Sequence, residues 1–146
     1  MKKAILYFML GFYLISCLSE ADCIITYSND LIIDIKNNVD GTTKSVLFES
    51  VTLEGTNIVL YENVNTAKLI LPVDPQADHV VVKLNFNGAQ ETVEFTYVNT
   101  PLLISPDCGA FSFIQNLSPG SFTISNVRII NPVLSTSATV NAEIFL

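Results

Sequence analysis

Residues 80–97 read VVVKLNFNGAQETVEFTY, and this stretch decides the fold. Two runs of β-branched and aromatic residues flank Asn87-Gly88, a dipeptide that type I′ turns favour because both central residues need a positive φ. In the second run Val93, Phe95 and Tyr97 alternate with polar residues, which places one face of a strand in a core and the other in water. The stretch therefore predicts an antiparallel β-hairpin with one buried face.

Similar apolar runs recur on both sides of this hairpin, separated by turn-forming residues, and no run shows the spacing of an amphipathic helix. A loop is expected at 118–120, and the apolar C-terminal strand is expected to be central or paired. The pattern predicts an all-β domain, a single antiparallel β-sandwich of the immunoglobulin-like, Greek-key type, with a small barrel or jelly roll as the alternative. The remaining predicted strands cover residues 31–36, 44–51, 57–61, 68–72, 102–105, 108–114, 125–132 and 138–145.

The first residues have the features of an export signal. Lys2 and Lys3 precede apolar residues 4–15, a run too short for a membrane span of about 20 residues. Residues 14–17, Leu-Ile-Ser-Cys, are typical of a lipobox, in which Cys17 takes the lipid and becomes the first mature residue. The predicted organisation is a lipoprotein signal peptide at 1–16, a lipidated cysteine and tether at 17–29, and the β-sandwich domain at 30–146. An ordinary signal peptide cut elsewhere is the alternative.

The charge balance narrows the possible partners. The chain has 7 Lys and Arg against 14 Asp and Glu, a net charge of −7. Removal of the leader takes Lys2 and Lys3 and no acidic residue, which leaves a net charge of −9. Because nucleic-acid binding depends on basic contacts to phosphate, no nucleic-acid partner is expected. The expected location is the outer membrane, on its periplasmic or cell-surface face, with the membrane contacted through the lipid at Cys17.

The three cysteines divide into one lipid site and one pair. If Cys17 carries lipid, Cys23 and Cys108 remain, and in an oxidising compartment they are most simply interpreted as a disulfide. Such a bridge closes a loop of about 85 residues, which the chain-entropy model values at about 4 kcal/mol. A metal or redox pair is the alternative.

The order of motifs resembles a known family. The motifs are the early Cys23, residues 68–72 (Lys-Leu-Ile-Leu-Pro), Ser105-x-x-Cys108-Gly109 before a Phe-rich strand, and the terminal residues 141–145 (Asn-Ala-Glu-Ile-Phe). Together they resemble uncharacterised lipoproteins of Bacteroidetes-type bacteria, catalogued as domain of unknown function 6452. The resemblance implies an exported, lipid-anchored β domain with a Cys23–Cys108 disulfide, and it supplies no catalytic residues.

Few side chains in the sequence suggest chemistry. His79 is the only histidine, no Gly-x-Ser-x-Gly motif accompanies it, and too few His and Cys ligands remain for a zinc site. Asp74 and Asp78 lack the dense alternation of a calcium loop, and Glu91 and Glu94 are expected on opposite faces of their strand. We therefore expect no catalytic, metal or cofactor-binding residues and no cofactor.

Two functions remain open at this stage. The favoured one is a non-enzymatic structural or interaction module that binds an unknown protein or glycan partner. The alternative is a glycan or peptide hydrolase with a carboxylate pair assembled by the fold, which requires two carboxyl groups about 5–10 Å apart with perturbed protonation.

Overall fold

The computed structural model describes residues 29–56, 58–105, 109–134 and 139–146. These residues form nine strands: β1 (Asp30–Lys36), β2 (Val46–Leu53), β3 (Val59–Thr66), β4 (Lys68–Pro72), β5 (His79–Phe86), β6 (Ala89–Ser105), β7 (Gly109–Phe122), β8 (Asn126–Ile129) and β9 (Ala142–Phe145). They contain no helix, and so none long and apolar enough to cross a membrane.

The strands form two sheets, with the orders β4-β1-β9-β8 and β3-β2-β5-β6-β7. The predicted all-β sandwich is confirmed, and the sheets do not close into a barrel. One pair departs from the antiparallel expectation, because β1 runs parallel to β9 with Ile33 opposite Ala142. The first and last strands can pair in this way because the whole domain connects them, whereas parallel neighbours cannot be joined by a tight turn. The C-terminal strand β9 is central, as predicted.

Apolar side chains from the inner faces of both sheets build one core. Val93, Phe95 and Tyr97 are all buried, as their alternation predicts. Across the sandwich they join Leu31, Ile33, Ile35, Leu69, Leu71 and Ile144, which are fully buried in the four-stranded sheet. Full burial of a Leu, Ile or Phe side chain contributes about 1.5–3 kcal/mol, so this layer is the main source of stability.

The central hairpin forms as its sequence predicts, whereas the strands that follow it in the chain are longer than predicted. Asn87 and Gly88 have φ of 53° and 72°, and β5 and β6 pair on both sides of them. The predicted strand at 102–105 is the continuation of β6, which runs for 17 residues. The predicted loop at 118–120 is wrong, because Ser118 and Pro119 lie inside β7, opposite Thr96 and Phe95. Pro119 fits there because β7 is an edge strand with irregular pairing, where a missing N–H is tolerated.

The two ends of the sandwich differ. We call the end that contains Asp30, Pro72 and His79 the proximal end; there β1 begins, β4 ends and β5 begins. The connection between β8 and β9 and the loop 73–78 lie at this end. The opposite, distal end carries the tight turn Asn87-Gly88 and the connection 37–45 between β1 and β2. Loops of this kind on a rigid sandwich are where binding residues commonly lie, so the proximal end is the part of the fold to search.

Candidate functional site

An open cleft of about 640 Å³ lies at the proximal end, on the solvent face of β5, β6 and β7. We call it the His79 cleft. Two further depressions, of about 460 and 570 Å³, adjoin it and share Tyr97 and loop residue Ala77. The His79 cleft is lined by Asp78, His79, Glu94, Thr96, Tyr97, Val98, Asn116 and Ser118.

Strand register brings the polar side chains of the cleft together. His79 of β5 lies opposite Thr96 of β6, and Thr96 lies opposite Ser118 of β7. The Thr96 and Ser118 hydroxyl groups are hydrogen-bonded at 2.9 Å. These polar side chains share one face because polar residues alternate with buried ones along β6. The residues that flank Tyr97 and Phe95 therefore face water. Residues far apart in the sequence thus form one continuous polar strip.

Asp78 and His79 form a solvent-exposed pair at the edge of the cleft. Asp78 Oδ1 lies 2.7 Å from His79 Nδ1. This hydrogen bond raises the pKa of His79 above its usual value, with smaller electrostatic contributions from Asp78, Glu94 and Glu54. The same hydrogen bond lowers the pKa of Asp78. At neutral pH the pair therefore combines an ionised carboxylate with an imidazole that protonates more readily than a free histidine.

Glu94 is held on the other side of the cleft by β7. Its Oε2 accepts hydrogen bonds from the Ser121 backbone N–H at 3.0 Å and from the Ser121 hydroxyl at 2.7 Å. These two bonds lower the pKa of Glu94. Gly120 makes room for this arrangement, because a Cβ at that position would lie 2.8 Å from the Glu94 side chain. The carboxylate is therefore fixed by the irregular stretch of β7 that the sequence predicts to be a loop.

The cleft brings two carboxyl groups, an imidazole and two hydroxyl groups together. Asp78 and Glu94 line the same cleft, yet both have lowered pKa values. A glycoside-cleaving pair needs one carboxyl group that keeps its proton near neutral pH, which requires a raised pKa. The Thr96 and Ser118 hydroxyls bond each other and not His79, so no nucleophile contacts the imidazole in the described residues. The lining instead offers hydroxyl, amide, imidazole and carboxylate groups for hydrogen bonds to a polar ligand.

The other residues considered from the sequence lie apart from such chemistry. Asp74 Oδ1 accepts the Gln76 backbone N–H at 2.8 Å, which stabilises the loop. Glu91 contacts the Thr123 hydroxyl, so it has a different partner from Glu94. Within the described ranges, no group of three or more His, Cys, Asp or Glu could hold a metal ion. Cys17, Cys23 and Cys108, the predicted lipidation and disulfide residues, lie outside the described residues.

Sequence reasoning singled out His79 and Glu94 separately, and it missed Thr96, Asn116 and Ser118 as their companions. The sequence pattern could have identified Thr96, because it is one of the polar residues that alternate with buried ones along β6. No pattern in the sequence identifies Ser118, because it and its neighbours Pro119 and Gly120 predict a loop. Only the register with β6 places Ser118 beside Thr96. Asn116 has φ of 58°, a left-handed conformation that asparagine tolerates better than most residues.

A scan of family models, a search of curated proteins and a search of solved structures found no match to this chain.

Proposed function

We propose that this protein is a lipid-anchored, extracytoplasmic binding module of the outer membrane that works without catalysis, and that its ligand binds in the His79 cleft. The observation that carries the proposal is the strip His79, Thr96 and Ser118 on an open, rigid sheet face. The strip lies between two ionised carboxylates, those of Asp78 and Glu94. Polar groups fixed on neighbouring strands need little reorganisation on binding, which lowers the entropic cost of recognition.

A glycan is the ligand class that fits this lining best. Sugar hydroxyls donate to carboxylates and accept from hydroxyl and imidazole N–H groups, and all of these groups are present in the cleft. The surrounding acidic charge, with Asp78, Glu94 and Glu54 close enough to His79 to raise its pKa, disfavours an anionic ligand. We therefore propose a neutral polysaccharide of the cell envelope as the partner, and the peptide surface of another envelope protein is the competing outcome.

The anchoring part of the proposal rests on the sequence. Residues 14–17 have lipobox character, and the motifs around Cys23 and Ser105 resemble the lipoproteins catalogued as domain of unknown function 6452, to which we propose that this chain belongs. A diacylglyceryl group with an additional acyl chain buries enough methylene groups, at about 0.8 kcal/mol each, for stable anchoring. Replacement of Cys17 by Ala should move the protein from the membrane fraction to the soluble fraction of the native host. A Cys17→Ala variant that stays in the membrane fraction would overturn the anchor.

Binding is tested with neutral polysaccharide fragments from the host envelope, by calorimetry on the full chain. We expect Ser118→Ala to weaken binding by about tenfold, since one lost hydrogen bond to a polar ligand corresponds to about 1–1.5 kcal/mol. Ser45→Ala is the matched control, because Ser45 is exposed just before β2, away from the cleft. Equal binding by the two variants, or no binding by the wild-type chain, would reject the cleft as a glycan site.

A further inference from the structure

The solvent face of the five-stranded sheet continues from the His79 cleft towards the distal end. Residues of β5 that point to this face alternate with the buried Val82 and Leu84. They are His79, Val81, Lys83 and Asn85. At about 3.3 Å per residue, the face is about 20 Å long from His79 to Asn85. The cleft occupies only its proximal part, since neither Lys83 nor Asn85 lines the cleft.

A first polar row beyond the cleft crosses the sheet at Lys83. Thr52 of β2 lies opposite Lys83 of β5, which in turn lies opposite Thr92 of β6. We call these three residues the Lys83 row. Lys83 Nζ is paired with Glu54 Oε1 at 3.2 Å, so the positive charge of the row is balanced. The two threonine hydroxyls, on half-buried side chains, can each donate and accept a hydrogen bond.

A second polar row lies one step nearer the distal end. Ser50 of β2 lies opposite Asn85 of β5, which lies opposite Gln90 of β6, and we call these residues the Asn85 row. Gln90 Nε2 donates to Asn85 Oδ1 at 3.1 Å, and Asn85 Nδ2 donates to Ser50 Oγ at 2.7 Å. These bonds orient the side chains before a ligand arrives, which lowers the entropic cost of binding. Because the Ser50 hydroxyl accepts in this chain of bonds, its own proton can be donated to a ligand.

The chemistry of the two rows favours a neutral, hydroxyl-rich chain. The rows contain no aromatic residue and no Arg, the residues that most often anchor protein partners. Lys83 is their only charged residue, and Glu54 balances it. The neighbouring Glu94 carboxylate has a lowered pKa and stays ionised, which disfavours an anionic chain. Rows that repeat about every 6.6 Å along the strands can bond to the hydroxyl groups of successive sugars.

We infer that the ligand of the His79 cleft is an extended polysaccharide chain, which continues from the cleft along the solvent face of β5 and binds the Lys83 row and the Asn85 row. The inference deepens the proposed function and rests on it, because it requires a neutral glycan in the cleft. It adds that the protein holds several consecutive sugars over about 20 Å, and not a single sugar at one end of the sheet.

Calorimetry on the full chain with fragments of different length tests the inference. The probes are neutral polysaccharide fragments of the host envelope, sorted from disaccharides to chains longer than about 20 Å, and wild-type affinity should rise with length up to that size. Asn85→Ala should weaken binding of the long fragments by about tenfold, the factor that one hydrogen bond to a polar ligand supplies, and should not weaken disaccharide binding. Asn38→Ala is the matched control. Asn38 is exposed and lies beside the end of the other sheet, where its N–H donates to the Leu146 carbonyl oxygen at 3.2 Å.

The short fragments separate failure of the extended site from failure of the cleft. No binding of any fragment by the wild-type chain overturns both proposals. Binding that does not depend on fragment length, yet is weakened by Ser118→Ala, overturns the extended site alone. A gain with length that Asn85→Ala retains in full places the extra contacts elsewhere and also overturns it. Gln90→Ala, at an exposed position of the same row, repeats the test where folding is not at stake, and it should show the same selective loss.

Discussion

Asn141 and Ile32 are joined by two hydrogen bonds that connect the last strand region to the first strand. The Asn141 backbone N–H donates to the Ile32 carbonyl oxygen at 2.8 Å, and the Ile32 N–H donates to the Asn141 side-chain oxygen at 3.0 Å. Asn141 is only 2% exposed, and its Nδ2 donates to the Val133 carbonyl oxygen at 2.9 Å. The buried Asn141 side chain thus supplies hydrogen-bond partners to backbone groups of both β1 and the segment between β8 and β9.

Replacement of Asn141 by Ala should lower the free energy of unfolding by about 2–4 kcal/mol, because the Ile32 N–H and the Val133 carbonyl lose buried partners. Asn141→Asp should be at least as harmful, since a carboxylate cannot donate to Val133. Urea denaturation measures both. Asn65→Ala, at an exposed site on β3, is the control and should change stability by less than about 0.5 kcal/mol. A loss below 1 kcal/mol for Asn141→Ala would mean that water replaces the amide.

Tyr97→Phe should cost about 1–2 kcal/mol, because the Tyr97 hydroxyl bonds the carbonyl oxygens of Asp74 at 2.9 Å and His79 at 3.2 Å. Burial raises the pKa of Tyr97 to about 12 from 10.0. The hydroxyl therefore contributes stability below pH 10, and this contribution is lost as the pH rises towards 12. Thermal melts from pH 8 to pH 11.5 should show the wild-type advantage over Tyr97→Phe shrink with rising pH. A constant difference would contradict the raised pKa.

Tyr61→Phe should open the edge of the four-stranded sheet to association. The Tyr61 hydroxyl accepts the Ile70 N–H at 2.8 Å and donates to the Ile70 carbonyl oxygen at 3.3 Å, so it occupies backbone groups that the edge strand β4 would otherwise expose. Unpaired edges promote strand pairing between molecules. Size-exclusion chromatography should detect oligomers of Tyr61→Phe. The double variant Tyr61→Phe/Ile70→Lys should be monomeric again, and oligomers that persist in it would point to another surface.

His79 should titrate above its usual value of 6.5, and Asp78→Asn should bring its pKa back down. Because the folded-state pKa of His79 is raised, its stabilising contribution is complete below pH 6.5 and disappears as the pH rises through the folded value. The pKa of Asp78 is lowered, so its contribution is present above pH 3.8 and is lost on acidification. NMR titration of the imidazole measures the shift. Glu54→Gln is the control and should change the pKa of His79 less than Asp78→Asn does, because Glu54 contributes less than Asp78 to the raised value.

The Cys23–Cys108 disulfide remains a prediction from the sequence. Cys23→Ser should lower the free energy of unfolding by about 4 kcal/mol, and added reductant should lower that of the wild-type chain by a similar amount while leaving the variant unchanged. A free thiol at Cys23 in non-reducing mass mapping would rule the bridge out.

The sequence by itself determined the local features of this protein. The alternation of Val93, Phe95 and Tyr97 specified which face of β6 is buried, because side chains alternate across a strand with a period of two. Asn87-Gly88 specified the hairpin turn, because the two positive φ values it requires suit these residues. Pro72 marked the end of a strand that also proved to be an edge, since proline cannot donate to a neighbouring strand.

Only the tertiary structure decided which distant residues meet. Ser118 beside Thr96, Ser121 beside Glu94 and Asn141 beside Ile32 depend on register and on strand order, which are set by the packing of both sheets around one core. The loop expected at 118–120 was wrong for the same reason, because pairing with β6 overrode the local preference of Pro119 and Gly120. Local sequence specifies the strands, whereas the cleft arises from the way the core aligns them.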